Sequence, residues 1–254
     1  MFIDQDVCEK CLDCRTVCPV GAIQIAETKF VHHFSFQVVI DYETCVECDV
    51  CRRLSICPQG AIKQVDEIPY PRILRAAFSD PMFRHASTAV LGRGTEEMKT
   101  NDVKNEFTKD NVGFSVEVGR PGVAAYFRDL EKVTKKIVAL GGDFASYNPV
   151  IALMKDKSTG ALKEEVLNEK VLSAIAEFIM PRQSALNVLA ELIPFINTEL
   201  KETVATISLI ARNEDDGEHS FLRKLEAHGK NHGYIPYLNG KVNIGIAAVK
   251  GGNS

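Results

Sequence analysis

The second half of the chain carries two hydrophobic periods that follow one another in a regular order. Residues 112–118, "VGFSVEV", alternate apolar and polar positions as a half-buried strand does. Residues 126–142, "YFRDLEKVTKKIVALGG", place apolar side chains at helical spacing and end on two glycines, which predicts a helix with a defined stop. "NPVIALM" (148–154) reads as a short apolar strand. "LKEEVLNEKVLSAIAEFIMP" (162–181) and "QSALNVLAELIPFINTELK" (183–201) read as two amphipathic helices separated by Pro181. "TVATISLIAR" (203–212) is rich in β-branched residues and predicts a strand, and "GEHSFLRKLEAHG" (217–229) predicts a helix. "YIPYLNGKVNIGIAAV" (234–249) predicts a hairpin turned at Asn239-Gly240. The order βαβ, αα, β, α, ββ fits an α+β body, read as a βαββαβ sandwich with an inserted helical pair and its helices on one sheet face.

The first 68 residues follow neither period for long. "FVHHFSFQVVIDYE" (30–43) is strand material and suggests a hairpin, but the rest is organised by cysteine. All eight cysteines lie between positions 8 and 57, and none follows. The first run is Cys8-x2-Cys11-x2-Cys14-x3-Cys18-Pro19, and the second is Cys45-x2-Cys48-x2-Cys51-x5-Cys57-Pro58. The opening "MFIDQDVCEK" lacks a basic, apolar leader, and no window approaches the roughly 18 apolar residues of a membrane span, so a cytoplasmic, soluble protein is expected. In a reducing compartment clustered cysteines point to metal rather than to disulfides.

Paired Cys-x2-Cys motifs also suit zinc, but a zinc tetrahedron needs neither a third cysteine at the same spacing nor a trailing Cys-Pro. Both are features of the bacterial 4Fe-4S signature, in which three closely spaced thiolates and a fourth from the other run complete each cluster. That pattern predicts one cluster on Cys8, Cys11, Cys14 and Cys57 and a second on Cys18, Cys45, Cys48 and Cys51. With the repeated "CPVGAI" and "CPQGAI", in which Pro-x-Gly-Ala-Ile turns the chain back to the cluster, residues 1–66 resemble a bacterial-type ferredoxin with two 4Fe-4S clusters. The sequence departs from that pattern in the five-residue gap "RRLSI" and in the long link between the runs.

Charge and the remaining motifs refine this only a little. Residues 1–68 hold 11 Asp and Glu against 6 Lys and Arg, and the rest holds 23 against 24, so acidity gathers on the cysteine-bearing end. Such a face steers basic partners, and it also serves plain solubility. Residues 69–111 are too apolar for a linker and too irregular for one long helix, so they read as a packed connector with "PRILRAAF" (71–78) as a helical turn. This divides the chain into a two-cluster domain (1–68), the connector (69–111) and an α+β partner- or ligand-binding domain (112–254). Arg93 in "LGRGTEEMKTNDV" and Arg120 in "VEVGRPGV" stand beside glycines that allow close backbone approach, and together they form a candidate anion site. The same residues suit ordinary surface turns.

Other chemistries find no footing in the sequence. Glu96 and Glu97 are a candidate acid or base pair, yet adjacent loop carboxylates are commonly solvated. His228 and His232 have the spacing of a metal pair, but Gly229 and Gly233 weaken the helix that would align them, and no His-Glu-x-x-His motif is present. There is no Gly-x-Ser-x-Gly elbow, no phosphate-cradling glycine pattern and no basic stripe for nucleic acid. The leading expectation is an electron carrier that relays single electrons between its clusters and a protein partner. A second is an anaerobic reductase of a (hetero)aromatic or other anionic substrate; "GRGTEEMKTNDV" and "EVGRPGV" resemble segments of ferredoxin-fused 6-hydroxynicotinate reductase-like proteins of anaerobes. A third, by fold analogy alone, is a ligand-binding redox sensor.

Overall fold

The computed structural model describes residues 1–30, 33–91, 106–120, 123–212 and 220–237. In the N-terminal segment β1 (Phe2–Ile3) pairs antiparallel with β4 (Ile62–Lys63), so the two ends of the cysteine-bearing segment close on each other. Between them lie α1 (Asp13–Thr16), the antiparallel ribbon of β2 (Ile23–Phe30) and β3 (His33–Ile40), and α2 (Val50–Arg53). The expected hairpin is therefore the β2–β3 ribbon, registered from Ile23 opposite Ile40 to Phe30 opposite His33. A small apolar core that includes Ile3, Ile23, Val38, Ile40, Ala61 and Ile62 packs directly against cysteines.

α3 (Ile73–Ser79) follows within the expected connector, with Arg75 to Ser79 all buried and Phe78 in the larger core. That core belongs to a four-stranded sheet of order β12-β5-β11-β7, in which every neighbouring pair is antiparallel: β5 (Asn111–Val118), β7 (Asp143–Phe144), β11 (Ala174–Pro181) and β12 (Ala205–Ile210). β6 (Ala125–Tyr126) leads into α4 (Phe127–Ala139), and β6 pairs with β10 (Lys170–Val171). β8 (Met154–Asp156) and β9 (Ala161–Leu162) form a small hairpin. α5 (Ala185–Glu199) and α4 both pack on the sheet face that carries Phe114, Val116, Ala176 and Phe178. α6 (Ser220–His232) joins the same core through Phe221 and Leu225.

Two expectations change here, and one lies beyond the described residues. Residues 149–153 form a 3-10 turn rather than a strand, because Asn148 accepts the Val150 amide through its side chain at 2.9 Å and Pro149 suits the first helical position. Residues 162–181 are not a helix, so there is no inserted helical pair over 162–201. They hold the end of β9, a 3-10 turn at 164–166, β10 and β11 with turns between them, and the apolar run "AIAEFIMP" is β11, held between β5 and β7 and buried on both faces. A strand covered on both sides loses its alternation and mimics a buried helix in sequence. The Asn239-Gly240 hairpin lies outside the described residues.

Candidate metal centre

Each cysteine loop is shaped by backbone angles that only a few residues tolerate. Lys10, Leu12, Glu47 and Asp49 all have φ between 54° and 69°, and they occupy equivalent places in the two runs, one inside each Cys-x2-Cys gap. Left-handed residues at both gaps curl the chain around a hollow, so that successive cysteine side chains converge on it. The Cys-Pro turns repeat as well. Gly21 (φ 66°) and Gly60 (φ 62°) donate to the carbonyls of Cys18 and Cys57, and the next amides, Ala22 and Ala61, each reach the sulfur of that cysteine at 3.2 Å. An N–H aimed at a thiolate stabilises its charge, and such bonds tune a cluster's potential.

The folded chain gathers the eight sulfurs as two hollows of four. Cys8, Cys11, Cys14 and Cys57 line a cavity of about 370 Å³, counting the space open to solvent, closed on its inner side by Ile3, Val38 and Ile62. Cys18, Cys45, Cys48 and Cys51 line the other, of about 360 Å³, with Ile23, Ile40 and Val46. Each therefore takes three cysteines from one run and the Cys-Pro cysteine from the other. Among the described residues no group of three His, Cys, Asp or Glu is gathered as a single metal ion would need. Spaced sulfur donors around an apolar hollow, with amides on two of them, suit a polynuclear cluster, which takes one thiolate at each iron.

The two hollows differ in surroundings. Cys11 is exposed, whereas Cys48 is buried and packs with Val46 against Ala124 and Leu172 of the larger body. Burial pushes the free Cys51 thiol up to about 12 and the Cys48 thiol up to about 11, and it raises Cys45 and Cys14 as well. A thiol this reluctant to ionise gives up its proton most readily to a metal, so loading a cluster on these cysteines would release protons.

Charged residues that the sequence reading passed over frame the second hollow. Glu47, 4% exposed, accepts from Arg72 at 2.7 and 2.9 Å and from the Met1 ammonium at 3.3 Å. Arg75 donates to the carbonyls of Tyr42, Glu43 and Cys45 and pairs with Glu169. The one signal for them was the i, i+3 spacing of arginines in "PRILRAAF", which puts both on one helical face.

The other candidates fare differently. Arg120 is exposed at the end of β5, 3.5 Å from the buried Glu117 carboxylate, so part of its charge is already compensated. Arg93, Glu96 and Glu97 lie outside the described residues. Gly229 does not break α6, and His228 and His232 stack at 3.8 Å. Their Nδ1 atoms bond the Tyr234 hydroxyl and the His228 carbonyl, which are local helix-end contacts.

Residues 7–61 match the family model described as a 4Fe-4S dicluster domain. Pyruvate synthase subunit PorD of Methanocaldococcus jannaschii is 38% identical over 66 residues, which are 26% of this chain and 66% of that protein. The chain thus spans just under two thirds of the length of that relative. No solved structure matches. Among the described residues no helix is long and apolar enough to cross a membrane. Residues 7–61 thus carry the features of a 4Fe-4S dicluster domain, with eight cysteines for two clusters, within a chain more than four times as long.

Proposed function

We propose that this protein relays single electrons through two 4Fe-4S clusters to or from a partner reductase, with the larger body docking that partner. Cys8, Cys11, Cys14 and Cys57 hold one cluster, and Cys18, Cys45, Cys48 and Cys51 hold the other. The observation that carries the reading is the sorting of eight thiols into two hollows, each completed by the Cys-Pro cysteine of the opposite run. Interleaved runs keep the clusters close, which favours rapid transfer between them. When bound, the clusters supply one-electron redox chemistry; the chain orients the thiolates, bonds two of them by amides and excludes water with Ile3, Ile23, Val38 and Ile40.

The likeness to a pyruvate synthase subunit supports a multi-subunit enzyme as the partner. Residues 1–68 act as the redox domain, 69–111 as the packed connector, and 112–254 as the docking domain, read as a βαββαβ sandwich. A second reading, reduction of an anionic substrate by the chain itself, is favoured by one contact: Ala124, four residues beyond Arg120, packs against Val46 and Cys48.

Iron and sulfide analysis with low-temperature EPR of anaerobically purified, dithionite-reduced protein tests the proposal. Near eight irons and eight sulfides per chain are expected. Cys14→Ala and Cys57→Ala should damage the same cluster, and Cys18→Ala the other. Selective loss by Cys18→Ala of the cluster that Cys14→Ala also removes would show the crossed assignment to be wrong. Reoxidation of the reduced clusters by an aromatic or heteroaromatic acid would move the assignment to the second reading.

A further inference from the structure

Arg75 is an unusual buried cation. Its side chain is 4% exposed, it stands on α3, and it belongs neither to the cysteine runs nor to the large sheet. One nitrogen, Nη1, donates to three carbonyls of the loop that carries the second cysteine run: Tyr42 at 2.9 Å, Glu43 at 3.0 Å and Cys45 at 2.8 Å. The opposite edge of the guanidinium, through Nε, pairs with Glu169, which is 12% exposed and directly precedes β10. β10 continues to Leu172, which packs with Ala124 on Val46 and Cys48. The cation therefore touches the carbonyl of Cys45 itself, and its counter-ion stands on the side away from that loop.

Resting on the reading that the eight cysteines hold two clusters, we infer that Arg75 is a positioning residue that selectively tunes the potential of the cluster held by Cys18, Cys45, Cys48 and Cys51. Reduction adds one electron, and thus one negative charge, to that cluster. A fixed positive charge hydrogen-bonded to a ligand's own carbonyl stabilises the added charge, and low local polarity strengthens the effect. Glu169 opposes it from farther away, so it weakens the effect without cancelling it. Arg72 also donates to the Tyr42 carbonyl, but its counter-ion Glu47, like Asp49 that pairs with Arg52, lies within the cysteine loop itself, so neither pair adds net charge there. None of the carbonyls that Arg75 holds belongs to Cys8, Cys11, Cys14 or Cys57, so the other cluster feels this charge only across a longer distance and more weakly.

The test is an anaerobic redox titration of the full chain followed by EPR, on wild type, Arg75→Met, Arg75→Lys and Glu169→Gln, with iron content measured on each. Cys45→Ser identifies the signal of the cluster in question. Arg75→Met is expected to lower that midpoint potential and to move the other by a smaller amount. Arg75→Lys, which keeps the charge, should lie nearer wild type, and Glu169→Gln should shift the same midpoint upward. Opposite signs from the two partners are what a purely structural clamp would not produce. Midpoints unchanged in both variants, both clusters shifting equally, or loss of iron from all three variants would each overturn the tuning role. A wild type without two 4Fe-4S signals would instead overturn the underlying reading of the cysteines.

Discussion

Gly119 ends β5 where the larger body turns toward the second cysteine hollow. Its φ is 86°, and a Cβ built there would lie 2.4 Å from the carbonyl oxygen of Leu172. Gly119→Ala therefore meets two separate penalties. Holding an L-residue at that φ costs about 1–2 kcal/mol. The clash is with backbone, not with the end of a flexible side chain, so the turn and the segment at Leu172 must move apart, an overpacking cost of about 1–3 kcal/mol. Together they give roughly 2–5 kcal/mol. Gly141 is the internal control: its φ is 78°, yet nothing lies within 4 Å of an added Cβ, so Gly141→Ala carries the conformational cost alone. Urea denaturation of the cluster-loaded protein, followed by circular dichroism and by cluster absorbance, measures both. The backbone clash predicts that the loss for Gly119→Ala exceeds that for Gly141→Ala by at least about 1 kcal/mol and perturbs the cluster absorbance, because Leu172 packs with Val46 and Cys48. Equal losses for the two variants, or an unaltered cluster spectrum, would refute it.

His85 is buried against Phe78, takes the Ser87 hydroxyl at 2.9 Å on Nδ1, and leaves Nε2 without a partner among the described residues; burial holds its pKa below 6.5. The folded chain thus excludes a proton that the unfolded chain accepts, so this residue's contribution to stability is full above about pH 6.5 and falls as the pH drops further. A His85→Phe variant should lose less stability than wild type between pH 7 and pH 5, measured as denaturation midpoints, and parallel pH profiles would remove His85 as the cause. Asn148→Ala strips the Val150 amide and the Ile175 carbonyl of their buried partner and should cost about 2–4 kcal/mol; a thermal or denaturant shift below about 0.5 kcal/mol would contradict that accounting. Chelating the iron under anaerobic conditions should loosen the N-terminal segment, whose apolar core is small and rests on cysteines, while the sheet of β5, β7, β11 and β12 persists. Hydrogen exchange would report this as lost protection at Ile23 and Val38 with Val116 and Phe178 unchanged, and uniform loss along the chain would argue against two separately held cores.

Much of the site was legible because cysteine chemistry is local. Two Cys-x2-Cys-x2-Cys runs, each followed by a Cys-Pro-x-Gly-Ala turn, specify loop shape and which thiols gather through spacing, and the left-handed residues at equivalent positions are what that spacing demands. Helices with one apolar face, such as α4 and α5, were equally plain, since each declares its period without knowing its neighbours. Residues 162–181 misled because β11 is covered on both faces, and a strand in that position carries no alternation to read. Residues 149–153 misled because the side chain of Asn148, not hydrophobicity, decides that turn.

Sequence by itself determined that this chain begins with a two-cluster iron-sulfur module and continues as an α+β body, since ligand spacing and hydrophobic period are properties of short stretches. Only the tertiary structure decided how the module is framed. It placed Ala124 and Leu172 against the loop of Cys48, set Arg75 on the Cys45 carbonyl with Glu169 behind it, and left Cys11 outward while Cys48 went inward. Those relations join residues up to 124 positions apart, and burial, which sets both the strength of a charge and the cost of leaving it unpaired, exists only once the two parts have packed.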